Sequence, residues 1–239
     1  MTKFFWGQQM LKIFIGYDQR EAVAWHTMAH SIMEKSSIPI SFVPVNQVNL
    51  RKIFTRPIDS KQSNEFSISR FLVPYLSDYS GYSVFFDCDM LVRVDIAEIL
   101  NAINEQPGKA LYCVQHSYEP KDDIKYLNTV QYKYPRKNWS SVVLWNCGHH
   151  ANKKVDLNFV NNATPMELHR FSWLKDDEIG ALDVRWNWLV GEYAEPPNDV
   201  KNIHWTVGGP YFNEYKDVDF SDEWRDAVKK INYCEQREL

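Results

Sequence analysis

The chain has 239 residues, of which 44% are hydrophobic and 15% aromatic, enough apolar material for one large core or a core with a lobe. A formal net charge of −4 with no basic block argues against nucleic-acid binding. The four cysteines, Cys88, Cys113, Cys147 and Cys234, are scattered and form no C-x-x-C, which disfavours zinc or a disulfide scaffold and predicts a reducing, cytoplasmic setting. Residues 1–10 carry one lysine and no apolar run of signal length. No span approaches the ~20 apolar residues of a bilayer crossing, so any membrane contact is expected to be peripheral.

In chain order, residues 11–17 (Leu-Lys-Ile-Phe-Ile-Gly-Tyr) read as a first strand ending at Gly16, where the backbone can turn tightly or approach a ligand. Asp18 then suits the N-cap of a helix to about Lys35, with Ala22, Trp25, Ala29, Ile32 and Met33 as its buried stripe. Residues 38–45 give a second strand, and strand, helix, strand predicts a right-handed parallel unit. Such a unit commonly receives a nucleotide above its first strand; the alternative is a plain scaffold with nothing bound. After a loop-rich stretch to residue 66, Phe66, Ile68, Phe71, Leu72 and Leu76 recur at helical spacing, interrupted by Pro74. Arg70 lies mid-helix, either facing solvent, the commoner outcome, or pointing its fork at a phosphate.

Residues 83–94 (Ser-Val-Phe-Phe-Asp-Cys-Asp-Met-Leu-Val-Arg-Val) are the centre of the sequence. Val84, Phe85 and Phe86 suit a strand covered on both faces. Asp87 and Asp89 sit where that strand surfaces, and ligands of open α/β sheets bind at the carboxyl ends of strands. Two carboxylates so close repel unless a positive group lies between them, and a hard divalent cation is the usual remedy. The bland alternative is a solvated turn.

A short amphipathic helix follows over residues 95–104, then strands over 110–115 and 139–145, the latter closing on Asn146-Cys147-Gly148. The polar, tyrosine-rich connection 116–137 is long enough to be a functional lid or to hold small elements. Residues 153–161 and 165–173 read as helices. Asp176-Asp177-Glu178 is either a solvated helix start or a cleft wall ahead of Trp186-Asn187-Trp188. Tyr132, Tyr134, Trp145, Trp186 and Trp188 could offer flat apolar faces to a ligand, although most tryptophans in such a chain are core.

Residues 200–205 form a last strand carrying His204. A lone histidine there is more often packed or exposed than a ligand, but Gly208-Gly209 follows, and two glycines let backbone N–H groups crowd a phosphate as an anion nest. An imidazole with two carboxylates leaves about half an octahedral shell open and tilts the preference from Mg2+ toward Mn2+. Residues 217–239 read as an outer helix.

Together, Gly16-Tyr17-Asp18, Ser69-Arg70-Phe71, Phe86-Asp87-Cys88-Asp89, Leu144-Trp145-Asn146, Asp176-Asp177-Glu178 and His204-Trp205-Thr206-Val207-Gly208-Gly209-Pro210 have the order and spacing of glycosyltransferase family 8, which the chain resembles from about residue 12 to 212. The resemblance implies the GT-A fold: a single α/β domain with a Rossmann-type, mainly parallel twisted sheet flanked by helices. It divides residues 11–115 (nucleotide-sugar half) from 116–215 (acceptor half, a smaller lobe). It also implies a UDP-sugar donor, a saccharide or other hydroxyl acceptor, hexosyl transfer with retention, and Mn2+ or Mg2+ held by Asp87, Asp89 and His204. Gly16, Tyr17, Asp18, Arg70, Asp87, Cys88, Asp89, Gly208 and Gly209 are then donor-binding. The family's Lys-Pro after the glycine turn is Pro210-Tyr211 here. Asp176, Asp177 and Glu178 fall near the family's Asp-Gln-Asp segment and are the implied catalytic carboxylates, while Trp145 and Asn146 are assigned to the acceptor. A silent nucleotide-sugar-binding protein and a metal-dependent phosphohydrolase are the rival readings.

Overall fold

A computed structural model describes residues 10–57, 62, 64–117, 124–125, 129–130, 136, 138–193 and 195–232. Tyr132, Tyr134 and Cys234 lie outside these residues, as does part of the 116–137 connection. The chain opens with β1 (Leu11–Gly16), α1 (Ala22–Met33) and β2 (Ile40–Val45), and the two strands pair in parallel. Asp18 caps not α1 itself but a 3-10 turn, Gln19–Glu21, that leads into it. The tighter turn rotates the helix phase. The buried residues are Ala24, Thr27, Met28, Ala29, Ser31 and Ile32, so Ala29 and Ile32 lie inside as expected, while Met33, also expected inside, is 60% exposed.

A 3-10 turn, Ser69–Leu72, runs into the short α2 (Val73–Leu76). Pro74 sits in the first turn of α2, where its missing N–H costs nothing, so it opens a helix rather than interrupting one. Then come β3 (Tyr82–Phe86), β4 (Met90–Val92), α3 (Asn101–Glu105), β5 (Leu111–Val114), the antiparallel pair β6 (Ile124–Lys125) and β7 (Thr129–Val130), and β8 (Val142–Asn146). The C-terminal part holds α4 (Leu157–Asn162), α5 (Pro165–His169), β9 (Ile179–Leu182), β10 (Trp188–Leu189), β11 (Asn202–His204) and α6 (Ser221–Asn232).

Six strands make the main sheet in the order β2-β1-β3-β8-β5-β9. All neighbours are parallel except β8, which runs against both β3 and β5. The carboxyl ends of β1, β3, β5 and β9 therefore share one rim, and the start of β8 joins them there. A three-stranded sheet, β10-β11-β4, stands beside it because the chain leaves β3 at Asp87 and re-pairs as β4.

The main core takes in Val84, Phe85 and Phe86, all at 0% exposure, as expected for a strand covered on both faces. A second cluster joins Leu91, Trp188, Val190, Val200, Ile203 and Trp205 to Trp224 of α6. The final helix is thus not merely an outer appendage. Among the described residues no helix is long and apolar enough to cross a membrane. Trp145 is 1% exposed, stacks with Trp173 at 6.4 Å between ring centroids and meets Phe171 edge-on. Replacing it by alanine should cost about 3–5 kcal/mol of stability, measured by urea unfolding. A loss below about 1 kcal/mol would show that the ring does not fill the core.

Candidate metal centre

The backbone brings together three side chains that are remote in sequence. After β3 ends at Phe86, the Asp87 N–H donates to Ser141 O at 3.0 Å, and Trp205 N–H donates to Asp89 O at 3.0 Å. These two bonds pin the acidic turn between the main sheet and β11. Antiparallel pairing sets His204 opposite Met90, one residue beyond Asp89. His204 Nε2 lies 3.3 Å from Asp89 Oδ1, and ligand atoms of Asp87, Asp89 and His204 all fall within 4.8 Å of one another. All three residues are buried, at 9%, 9% and 1% exposure.

The imidazole is held in one tautomer. Asn187, fully buried, directs its amide nitrogen to Asn138 O at 3.2 Å and Ser141 Oγ at 3.3 Å, so its oxygen must face His204 Nδ1, 2.7 Å away. Nδ1 therefore carries a proton, which leaves Nε2, on the side of the acid pair, as the nitrogen open to a metal. Sequence reasoning missed Asn187. Its signal was a polar residue wedged between Trp186 and Trp188, which only a buried hydrogen-bond duty explains.

Arg70 follows neither reading in full. It is 5% exposed, and its Nη1 meets Asp87 Oδ1 at 2.7 Å and Ser140 O at 3.0 Å. The guanidinium lies over the rings of Phe66 and Phe85, at 5.2 and 5.0 Å from their centroids. Its charge is on the rim but already serves a carboxylate. In this arrangement it is not a phosphate clamp.

Gly16, Tyr17 and Asp18 lie on the same rim, since Ile15 pairs with Phe86. A Cβ on Gly16 would fall 2.2 Å from the Phe66 ring, so that glycine admits an aromatic side chain over the strand end. Asp18 is fully buried; it accepts from Arg20 N and Nε at 2.9 Å each, and from Glu65 N at 3.2 Å. Burial alone would raise its pKa, but the Arg20 hydrogen bonds and charge outweigh it and hold the carboxyl below its usual value. Cys88, between the two acids, points into the core; burial and the surrounding carboxylates push its thiol well up, which keeps it protonated and unreactive. Cys88 was expected among the donor contacts; its side chain, fully buried, faces the core instead.

The glycine pair is on the rim but is not a nest. Neither Gly208 nor Gly209 adopts the positive φ that alternates in such nests, and the Gly208 N–H is committed to Trp205 O at 3.0 Å. A Cβ at either would collide with an aromatic ring, Tyr215 at 2.4 Å or Tyr211 at 2.3 Å. Tyr211 in turn donates to Glu21 Oε2 at 2.6 Å, and burial with the Glu21 charge keeps the phenol protonated. Beyond the end of β5, His116 Nδ1 is 2.6 Å from Tyr193 Oη. Burial, reinforced by His204, pushes the His116 pKa down to about 3, so it is neutral at pH 7.

The structure does not bring the remaining predicted residues to this rim. Asp176, Asp177 and Glu178 precede β9, and Ile179 pairs with Leu111 at the start of β5, so the three acids stand at the opposite end of the sheet. Asp176 there pairs with Arg136. Asn146 is at that far end too, donating to Lys109 O at 3.0 Å, and Trp145 is in the core. Trp186 is 3% exposed and Trp188 8% exposed, so neither offers an open face.

This arrangement, an acidic turn at the carboxyl ends of a mostly parallel sheet, lies within the GT-A glycosyltransferase fold. The structure superimposes on the bifunctional glycosyltransferase WbbM with a TM-score of 0.64 at 15% identity, over 95% of this chain and 50% of that one. It superimposes on the galactosyltransferase LgtC, solved with donor and acceptor sugar analogs, with a TM-score of 0.59 at 13% identity, over 95% and 98% of the two chains. Identity at that level shows a shared fold. No family model matches. Over 233 residues the chain is 44% identical to Protein CDI of Arabidopsis thaliana, covering 95% of this chain and 89% of that one. It belongs to the family of Protein CDI.

Because Asn187 holds the imidazole at Nδ1, Asn187→Leu should weaken divalent-cation binding at this cluster about 10- to 100-fold in calorimetric titration. An unchanged affinity in a folded variant would remove Asn187 from that role.

Proposed function

We propose that the protein is a divalent-metal-dependent glycosyltransferase that moves a hexose from a nucleotide-sugar, a UDP-sugar, to a saccharide or other hydroxyl acceptor. The observation that carries this reading is the convergence of Asp87, Asp89 and a tautomer-fixed His204 on the rim where α/β sheets bind ligands. Two carboxylates and a neutral imidazole suit Mn2+ better than Mg2+, which prefers an all-oxygen shell. A cation held there supplies Lewis-acid stabilisation of the charge that builds on the departing diphosphate.

The chain's own residues do the rest. Asp87, Asp89 and His204 would hold the cation. Arg70 orients Asp87 through its 2.7 Å contact. Gly16 to Asp18 lie above the first strand, where the resemblance puts the uracil and ribose. Retention of configuration is likewise carried over from the resemblance. With Asp176, Asp177 and Glu178 at the far end of the sheet, no carboxylate from that segment serves the anomeric carbon in this arrangement. Buried, reduced Cys88, Cys113 and Cys147 support a cytoplasmic location.

That displacement of the acids favours one second reading, a protein that binds the nucleotide-sugar without turning it over. Titration with UDP and Mn2+, followed by a UDP-release assay with candidate saccharides, separates the two. Transfer predicts Mn2+-dependent UDP binding, slow hydrolytic UDP release and faster release with an acceptor. Tight binding with no release supports the silent binder. Asp89→Ala should abolish Mn2+-dependent UDP binding; unchanged affinity would refute the metal assignment and both readings with it.

A further inference from the structure

The rim opposite the acid pair carries a second group of metal-ligating side chains that the proposed function does not use. His149, His150 and Glu178 each offer a ligand atom, and these atoms lie within 4.8 Å of one another. Five residues of β3 separate the two rims, about 16 Å at ~3.3 Å per residue, so the groups cannot share an ion.

Two segments deliver the cluster, one on each side of β5. The chain leaves β8 at Asn146 and turns into a 3-10 helix, His150–Lys154, capped by His149, whose Nδ1 accepts the Ala151 N–H at 3.3 Å. Glu178 ends the turn ahead of β9, and its Oε2 accepts the Lys175 N–H at 2.9 Å, which orients the carboxylate. Its Oε1 is 4.0 Å from His150 Nε2, and the two imidazole centroids are 4.4 Å apart. A backbone donor behind the carboxylate is the kind of outer support that metal-ligating acids have.

We propose that His149, His150 and Glu178 form a transition-metal site that prefers Zn2+. Two imidazoles and one carboxylate favour zinc over the hard cations Mn2+ and Mg2+, and three protein ligands leave a fourth tetrahedral position for water. Tetrahedral bonds of ~2.0–2.1 Å put ligand atoms about 3.4 Å apart, so the site needs a small closure. The His150 side chain, 83% exposed, has room to make it. Coordination through His149 Nε2 moves the proton to Nδ1 and gives up the long Ala151 contact, which sets the affinity below that of a preformed site. Zinc here ties the start of the His150–Lys154 helix to the lead-in of β9, across the end of β5.

Equilibrium dialysis of the full chain against micromolar Zn2+, with bound metal counted by mass spectrometry, tests this directly. His150→Ala and Glu178→Gln should each lose one equivalent of zinc relative to wild type, with affinity at that site down at least tenfold. Asp89→Asn should retain that equivalent, and Mn2+ should not compete for it. The His150 side chain is exposed and that of Glu178 is half-buried, and circular dichroism verifies that the variants fold. Unchanged zinc content in His150→Ala, or loss of the same equivalent in Asp89→Asn, overturns the proposal. Neither outcome depends on whether the acid pair serves sugar transfer.

Discussion

Two carboxylates, Asp87 and Asp89, stand at the mouth of a buried strand with less than a tenth of their surface exposed. Burying a charge beside a like charge is among the costliest arrangements a fold can hold, and it persists only where opposite charge or hydrogen bonds answer it. Much of this protein's architecture reads as that answer. Arg70 is drawn out of a 3-10 turn, sandwiched by Phe66 and Phe85, and set against one acid. His204 is set against the other, held by Asn187. Backbone bonds to Ser141 and Trp205 lock the turn between two sheets.

The direction of β8 explains how so many segments reach one rim and others do not. Because β8 runs against β3 and β5, Ser140 and Ser141 at its start stand beside the acidic turn, whereas Asn146 at its end stands a strand-length away. The same topology places Asp176, Asp177 and Glu178 at the end of the sheet away from Asp87, with Glu178 beside His149 and His150. One sheet thus carries two separate groups of ligating side chains, one at each end. The acidic, buried end suits a hard or borderline cation, and the imidazole-rich, exposed end suits a softer one.

Much of this was legible in the residues. The run Val84-Phe85-Phe86 flanked by Asp87 and Asp89 announced a strand covered on both faces that surfaces into an acidic turn, and strand-helix-strand at the start announced parallel pairing. What the residues hid was orientation. Periodicity says that residues 139–145 hold a strand but not which way it points, and it gave no sign that residues 179–182 pair in parallel with β5, so acids read as a cleft wall went to the wrong rim. The glycine pair misled for a related reason. Gly208 and Gly209 were needed for the close approach of Tyr215 and Tyr211, a long-range packing demand that looks in sequence like a phosphate turn. Met33 failed because a three-residue 3-10 turn shifted the phase of α1, a local choice below the resolution of a hydrophobic stripe.

The central claim is that one cation, shared by Asp87, Asp89 and His204, serves a bound nucleotide. Diffraction at the manganese absorption edge, from crystals grown with Mn2+ and UDP, tests it most directly. The account predicts one anomalous peak bonded to all three side chains, with UDP phosphate oxygens completing its shell. UDP seated at the carboxyl rim with no manganese among those three residues would contradict it.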